Sequence, residues 1–356
     1  MSMDIVEILK EPRMIKVCAP MVRYSKLQFR TLVRRYNCDI CFTPMILADS
    51  FVQSDKARDN EFSTNNEDKP LIVQFAAKTV QDFLNASEMV APYCNGVDLN
   101  CGCPQRWAMN DGYGADLLKK PDLVKDLIYQ VRNRIPNPFT VSVKIRLLKD
   151  IRKTVEFCRI LEKAGASFLT IHARTPEMRN EPVDMDILKL VRDSVKLPLI
   201  ANGDIKNLES AENLYRESNC EAVMSARGIL TNPALFSGYP VTSLSCVQDW
   251  LDITTVMPTQ FLCFHHHLVF MLEKILPKKN RLFFNSLKNK STVLEFLESY
   301  YGVKPNVNSK LSEPIKCTFS SPSIKHNDDC INFESEPYNF WISIQNGVFH
   351  KIRLKF

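Results

Sequence analysis

The segment Asn100-Cys101-Gly102-Cys103-Pro104 holds an amide and two thiols side by side. Glycine and proline directly after the apolar run Gly96 to Asn100 force a sharp loop, and such a loop can present a thiol to a pocket. Side chains alternate along a strand, so Cys103, past the glycine, projects over the loop's open side while Cys101 packs outward. A zinc site would need a second Cys or His pair at matching spacing, and the sequence has none. Cys38-Asp39-Ile40-Cys41 is a second candidate for metal or redox chemistry. It stands alone, and Ile40-Cys41-Phe42 reads as a buried strand, so inert core thiols are expected there.

Other polar or conformationally special residues follow short apolar runs in the same way. They are Pro20 and Met21, Gln74, Lys144 and Arg146, His172 and Arg174, Asn202-Gly203-Asp204, and Ala226-Arg227-Gly228. The runs that must position them are rich in β-branched residues: Ile15 to Ala19, Asp39 to Thr43, Leu71 to Phe75, Gly96 to Asn100, Thr140 to Ile145, Phe168 to His172, Leu199 to Asn202 and Ala222 to Ser225. Amphipathic stretches of helical period lie between them: Lys26 to Tyr36, Val80 to Ala91, Pro121 to Arg134, Ile151 to Ala164, Asp184 to Ser194 and Leu208 to Ser218. Strands alternating with helices argue for a parallel sheet, and eight of them in sequence fit a closed (β/α)8 TIM barrel. Barrel enzymes build their sites at the C-terminal strand ends, where these polar residues fall.

After Pro240 the alternation stops. Cys246 to Ile275 and Leu282 to Tyr300 read as helices, so a small all-helical domain is expected over 241–305, behind a barrel over 14–240 and an N-terminal extension over 1–13. The final stretch, 306–356, carries Ser, Pro, Asn and Lys clusters and is expected to be poorly ordered, with Phe340 to Ile344 strand-like at most.

Composition narrows the class. With 45% hydrophobic and 24% charged residues the chain resembles an average globular protein, which excludes disordered and fibrous classes. No run approaches the roughly eighteen apolar residues needed to cross a bilayer, and the opening residues lack a signal-peptide layout, so no membrane partner is expected. Twelve scattered cysteines without a secretory signal read as reduced thiols. A net charge of +6 is compatible with a polyanionic partner and does not establish one.

Taken together, these segments resemble the tRNA-dihydrouridine synthase family. Lys16-Val17-Cys18-Ala19-Pro20-Met21-Val22 resembles its opening Ala-Pro-Met strand, Leu71-Ile72-Val73-Gln74-Phe75 its glutamine-bearing strand, and Asn100 to Pro104 its Asn-x-Gly-Cys-Pro loop. Ser142-Val143-Lys144-Ile145-Arg146 resembles its Val-Lys-x-Arg strand, His172-Ala173-Arg174-Thr175 its His-Gly-Arg-Thr, and Asn202 to Ile205 with Ala226-Arg227-Gly228 its two phosphate-side segments. The likeness runs from about residue 14 to 303 in order and spacing. Ala173 replaces the usual glycine, and Cys101 fills a slot that often holds Met. Cys-Gly-Cys-Pro-Gln-Arg-Trp, with Val-Arg-Tyr-Ser-Lys after Met21, looks like the eukaryotic subgroup named for tRNA positions 20a and 20b.

The resemblance implies FMN across the barrel mouth, contacted by Pro20, Met21, Gln74, Lys144, His172, Asn202, Gly203, Asp204, Ala226 and Arg227. It implies NADPH or NADH as reductant, and reduction of uridines in the D-loop of tRNA to 5,6-dihydrouridine. Hydride would pass from flavin N5 to uracil C6, and Cys103 would give a proton to C5 as a neutral thiol, a general-acid role. Asn100, Arg146 and Arg174 are the expected uracil and phosphate contacts. In the helical domain Lys278, Lys279 and Arg281, with Lys288 and Lys290, interleave with Leu282, Phe283, Phe284 and Leu287, so one face can pack while the other meets RNA phosphates. His265-His266-His267 lacks Cys or carboxylate companions and is expected to be structural or RNA-facing. No metal is expected, and the implied protein is a monomer of the cytoplasm, with the nucleus as the other compartment. Two rivals are weighed against this reading. A flavin barrel acting on a free pyrimidine, like the dihydroorotate dehydrogenases, would turn over without RNA. A non-catalytic tRNA-binding protein would bind tRNA without flavin absorbance.

Overall fold

The computed structural model describes residues 4–306, 311–315 and 317, and further on 344–345 and 348–349. The strands in chain order are β1 (Ile15–Cys18), β2 (Ile40–Phe42), β3 (Ile46–Leu47), β4 (Leu71–Ala76), β5 (Gly96–Cys101), β6 (Thr140–Arg146), β7 (Phe168–His172), β8 (Leu199–Asn202) and β9 (Ala222–Ser225). β1 pairs with both β2 and β9, and β2 pairs in parallel with β4, so the nine-stranded sheet minus β3 closes into a ring of eight. β3 is a two-residue addition to the mouth end of β4, pairing Ile46 with Phe75 and Leu47 with Ala76. The expected TIM barrel is therefore present, each expected strand within a residue of its place.

Register explains which residues face inward. Asp98 lies opposite Ser142, Asn100 opposite Lys144, Arg146 opposite His172, and His172 opposite Asn202. Alternation puts Gln74, Asp98, Asn100, Ser142, Lys144, Arg146, Thr170, His172 and Asn202 on the interior face, polar groups stacked towards one end.

Several helices begin at a side-chain cap. α1 (Ile5–Leu9), capped by Asp4, buries Ile5 and Leu9 ahead of the barrel. α2 (Leu27–Arg35) precedes β2, and α3 (Ala48–Gln53) and α4 (Asp55–Glu61) fill the connection to β4. α5 (Val80–Val90) is capped by Thr79, α6 (Arg106–Asn110) follows the Cys103 loop, and α7 (Pro121–Arg134) opens on a proline, which suits the first helical turn. α8 (Ile151–Lys163) and α9 (Met185–Ser194) are capped by Asp150 and Asp184. α10 (Leu208–Ser218) has a capping box from Asn207 and Ser210, and α11 (Arg227–Thr231) follows β9.

Beyond the barrel the two expected helices are four: α12 (Leu244–Val256), α13 (Phe261–Leu272), α14 (Lys278–Asn285) and α15 (Lys290–Tyr301). Pro258 sits at the first break and Pro277 at the start of α14, where proline removes a helical hydrogen bond or begins a turn. This region is tied to the barrel. Tyr36 Oη donates to Asp249 Oδ2 at 2.7 Å, Arg35 pairs with Asp249 Oδ1 at 2.5 Å, and Tyr24 Oη lies 3.2 Å from His266 Nδ1. The His267 ring stacks on Phe29 and meets Trp250, each with centroids 4.6 Å apart.

Residues past 306 also touch the barrel. Thr64 bridges Ile315, Asn65 Nδ2 donates to the Ser312 carbonyl at 3.1 Å, and the buried Cys317 thiol donates to the Met89 carbonyl at 3.3 Å. The chain divides into two compact units at 321/322. In the second, β10 (Ile344–Gln345) and β11 (Val348–Phe349) form an antiparallel pair. The strand-like reading of Phe340 to Ile344 lies outside the described residues except for Ile344. No helix among the described residues is long and apolar enough to cross a membrane.

Candidate active site

Cys103 is half-buried at the barrel mouth, against a buried cluster of Ala76, Ala108 and Tyr113 on which Met45, Leu47 and Trp107 also pack. Cys101 is fully buried, as alternation predicts. The loop is pinned from below: Asn100 Oδ1 accepts from the main-chain N–H of Gly102 at 3.1 Å and of Cys103 at 2.9 Å. The thiol lies 3.9 Å from Gln105 Oε1, which also accepts from Trp107 Nε1 at 2.8 Å. Gly114, with φ +61°, passes so close that an added Cβ would lie 2.8 Å from Cys103 Cβ, so the loop has little room to shift. Burial raises the Cys103 thiol pKa, and the backbone of Gln105 with the charges of Arg146 and Lys144 only partly opposes it. The thiol therefore stays protonated at neutral pH, as a proton donor requires.

Facing it is a group of cations. Lys144 Nζ donates to Asn202 Oδ1 at 2.9 Å, and Asn202 Nδ2 donates to the Met224 carbonyl at 2.8 Å. Burial first, then Arg146, lowers Lys144 to about 8. Arg146 is lowered to about 10 by burial and then by Arg174, and it donates to the carbonyls of Thr175 and Met178. His172, half-buried among Lys144, Arg146, Arg174 and Arg227, is pushed down to about 2, chiefly by burial. It is neutral, so its Nε2, 3.3 Å from Arg174 Nη1, is the acceptor and its proton sits on Nδ1.

This arrangement suits an anionic, polar cofactor. Four cations gather at one rim, and among the described residues the carboxylate that ion-pairs with them is Asp204, on Arg174. Below them Thr170 Oγ1 is buried without a protein partner. Arg227 is exposed, with one long contact of 3.4 Å to Asn180 Oδ1, so its guanidinium is open to a phosphate. Among the described residues no cluster of three or more His, Cys, Asp or Glu is arranged to hold a metal ion. Cys18, Cys38 and Cys41 are buried free thiols beside α2, with Cys38 and Cys41 sulfurs 3.9 Å apart.

Several expected contacts have other work. Asn100 engages its carbonyl oxygen with the loop and its nitrogen with Gln74, which fixes its orientation under the Cys103 loop. Arg174, 2% exposed, donates to His172, the Glu181 carbonyl and Asp204, so it orients the imidazole. Asp204 also accepts from Val183 N–H at 3.0 Å, which fixes its carboxylate beside Arg174. The glycines Gly203 and Gly228 make room for protein: a Cβ would lie 2.3 Å from Val183 Cγ1 and 2.2 Å from the Ile205 carbonyl oxygen, respectively. Pro20, Met21 and Ala226 lie at the mouth ends of β1 and β9, with Met21 buried.

On the helical region Lys278 and Lys279 are exposed, whereas Arg281 donates to the Glu273 carbonyl at 2.8 Å and so caps α13. Lys290 turns inward, over the Phe264 ring and onto the Thr254 carbonyl. Phe284 is buried, yet Leu282 and Phe283 are 65% and 56% exposed beside the lysines. His265 and His267 are buried and all three histidines are shifted down by burial, so the triplet is structural.

Sequence reasoning passed over Asp98, Ser142, Gln105 and Trp107. A signal existed for Asp98: in Gly96-Val97-Asp98-Leu99-Asn100, alternation puts a carboxylate on the same face as Asn100.

A family model described as dihydrouridine synthase matches residues 17–295. A mouse protein named tRNA-dihydrouridine(20a/20b) synthase [NAD(P)+]-like is 52% identical over 84% of this chain and 93% of its own length. A Schizosaccharomyces pombe protein named tRNA-dihydrouridine(20a/20b) synthase [NAD(P)+] is 40% identical over 84% of this chain and 92% of its own. Among solved structures, an old yellow enzyme homologue from Zymomonas mobilis aligns over 64% of this chain and 90% of its own, at 12% identity and a TM-score of 0.46. With a family match over most of its length and relatives at half identity, the chain belongs to the dihydrouridine synthase family.

Proposed function

We propose that this protein is a flavin-dependent tRNA-dihydrouridine synthase that reduces D-loop uridines at positions 20a or 20b, with NADPH or NADH as the electron source. The observation that carries the reading is the neutral Cys103 thiol held opposite Lys144, Arg146 and a neutral His172 at one barrel mouth. FMN held there would supply the hydride chemistry that links the nicotinamide to the uracil ring. Lys144, with only a neutral side-chain partner, places positive charge where the reduced ring is anionic, and Arg227 is free to meet the phosphate. His172 offers Nδ1–H to a ring or carbonyl edge. Cys103 gives its proton to C5 of the base, and burial against the cluster of Ala76, Ala108 and Tyr113 keeps the thiol neutral until then.

The uridine must leave its stack to reach this mouth, so the protein has to hold the surrounding RNA. Lys278 and Lys279, with the exposed Leu282 and Phe283, supply charge and a stacking surface on one helix. Cytoplasm or nucleus and a monomeric state complete the reading.

The test is purified protein incubated with unmodified tRNA and NADPH or NADH, followed by mass mapping of the RNA. Two added hydrogens at a D-loop uridine are expected. Flavin-loaded protein that oxidises nicotinamide with a free pyrimidine but leaves every tRNA uridine unchanged would overturn it.

A further inference from the structure

Inside the barrel a single chain of hydrogen bonds runs up to the Cys103 loop. Ser142 Oγ donates to Asp98 Oδ1 at 2.7 Å, and Gln74 Nε2 donates to Asp98 Oδ2 at 2.8 Å. Asn100 Nδ2 then donates to Gln74 Oε1 at 2.8 Å, and Asn100 Oδ1 accepts the N–H groups of Gly102 and Cys103. Asp98, Gln74, Asn100 and Ser142 are all buried.

An amide side chain keeps its shape when turned end for end, so shape alone does not orient Gln74 or Asn100. The partners at the two ends of the chain do. Backbone N–H groups can only donate, which requires Asn100 Oδ1 at the top, its Nδ2 towards Gln74, and Gln74 Nε2 at the bottom. An ionised carboxylate can only accept, which requires that same Gln74 Nε2. The two requirements agree. Burial raises Asp98 to about 6, against the opposing effects of Gln74, Ser142 and Lys144, which leaves it ionised at neutral pH.

We propose that Asp98 is a positioning residue for the proton donor: as an acceptor-only group it fixes the direction of the Gln74–Asn100 chain and so holds the main chain of Cys103 in place. The proposal rests on the proton-donor reading of Cys103. Asp98 touches neither the base nor the thiol, and it acts through two amides.

Near-isosteric variants test it. In Asp98→Asn the new amide can still accept from Gln74 while donating to Ser142 Oγ, whose own proton can turn to the Val97 carbonyl 3.4 Å away. In Asp98→Asn with Ser142→Ala that acceptor is gone. The amide N–H is then buried without a partner and the lower end of the chain no longer selects a direction, so the reversed arrangement, with Asn100 Nδ2 facing two N–H donors, competes with the native one. Each single variant should slow tRNA-dependent turnover by no more than about threefold, and the double variant by about tenfold or more beyond their product, because small misplacements at a reacting group cost that much. Reduction of the bound flavin by nicotinamide, which does not use Cys103, should stay within about threefold throughout.

Iodoacetamide labelling of Cys103 in the RNA-free protein, read on its peptide by mass spectrometry, is the second readout. It should be near wild type in the single variants and change in the double one. Ser142→Thr in the Asp98→Asn background restores a hydroxyl and should restore both rates. If the double variant does not fold, Asp98→Asn/Ser142→Thr against Asp98→Asn/Ser142→Val gives the same comparison, since these differ only in that hydroxyl. Double-variant effects equal to the product of the singles in both readouts, or no rescue by threonine, would overturn the proposal. If the wild type reduces no tRNA, the proposed function falls, and the labelling alone then decides whether Asp98 orders the loop.

Discussion

Lys144 Nζ reaches across the barrel interior to Asn202 Oδ1, 2.9 Å away, so a buried cation on β6 is held by a neutral amide on β8. Burial, and then Arg146, lowers it to about 8, and the charge of Asp98 opposes this only in part. The neutral form gains above that pH, so affinity for FMN should fall as pH rises through about 8. A loss of about tenfold between pH 7 and pH 9.5 is the scale of one charge-assisted contact. In Lys144→Met the step should vanish and affinity should be low throughout. Flavin fluorescence titration at each pH measures both.

Cys103→Ala should bind flavin and oxidise nicotinamide normally while losing about a hundredfold or more in tRNA reduction, the usual contribution of a general acid. Rapid-mixing absorbance separates the two halves. Equal loss in both would remove the proton-donor assignment.

Gly203 has φ +139°, and a Cβ there would lie 2.3 Å from Val183 Cγ1 and 3.5 Å from His172 Cδ2. Gly203→Ala should cost about 1–3 kcal/mol from backbone strain, with further cost from the clash. A fall in Tm of several degrees by calorimetry, with weaker flavin binding through His172, is the expected outcome.

The His267 ring, closed in by Phe29, Tyr24 and Trp250, is pushed down to about 3, chiefly by burial and also by His266. An unfolded histidine takes up a proton below about 6.5, and the folded one does not until far lower. Stability should therefore be full above pH 6.5 and fall as pH drops towards 3, by about 1.4 kcal/mol per pH unit from this residue. His267→Phe should flatten that slope in urea melts at pH 7, 6 and 5.

Lys278→Glu and Lys279→Glu should weaken tRNA binding and lower its salt slope by about one unit per lost phosphate contact, with flavin content unchanged. Phe283→Ala should weaken binding by about 1–3 kcal/mol if a base stacks on it, without changing the salt slope. Arg281→Ala should instead lower stability, because its guanidinium caps α13. Filter binding at graded salt and thermal melts separate these outcomes.

The barrel was legible because each strand is a short β-branched run and each major helix has a clear apolar period, from Leu27–Arg35 to Leu208–Ser218. The expected gathering of Gln74, Asn100, Cys103, Lys144, His172 and Asn202 at one end also followed from the pattern. What each residue touches did not. Arg174 and Asp204 are thirty positions apart and neutralise each other, and Arg281 serves a helix end, which only the tertiary fold decides. The four-helix division after Pro240 was missed because Phe261 to Leu272 is apolar all round and carries little periodic signal. Asp98 was passed over for a different reason: a lone carboxylate in a strand reads as solvent-facing unless its neighbours' parity is followed.

The ties from Tyr36, Arg35 and Tyr24 to Asp249 and His266 join the helical region to the segment that carries Pro20 and Met21. An RNA gripped on α14 and opened at the mouth would thus be measured against a fixed gauge. Under the proposed function, the choice of uridine would then be set by distance along the folded RNA, and a uridine one step off that span would be left unreduced.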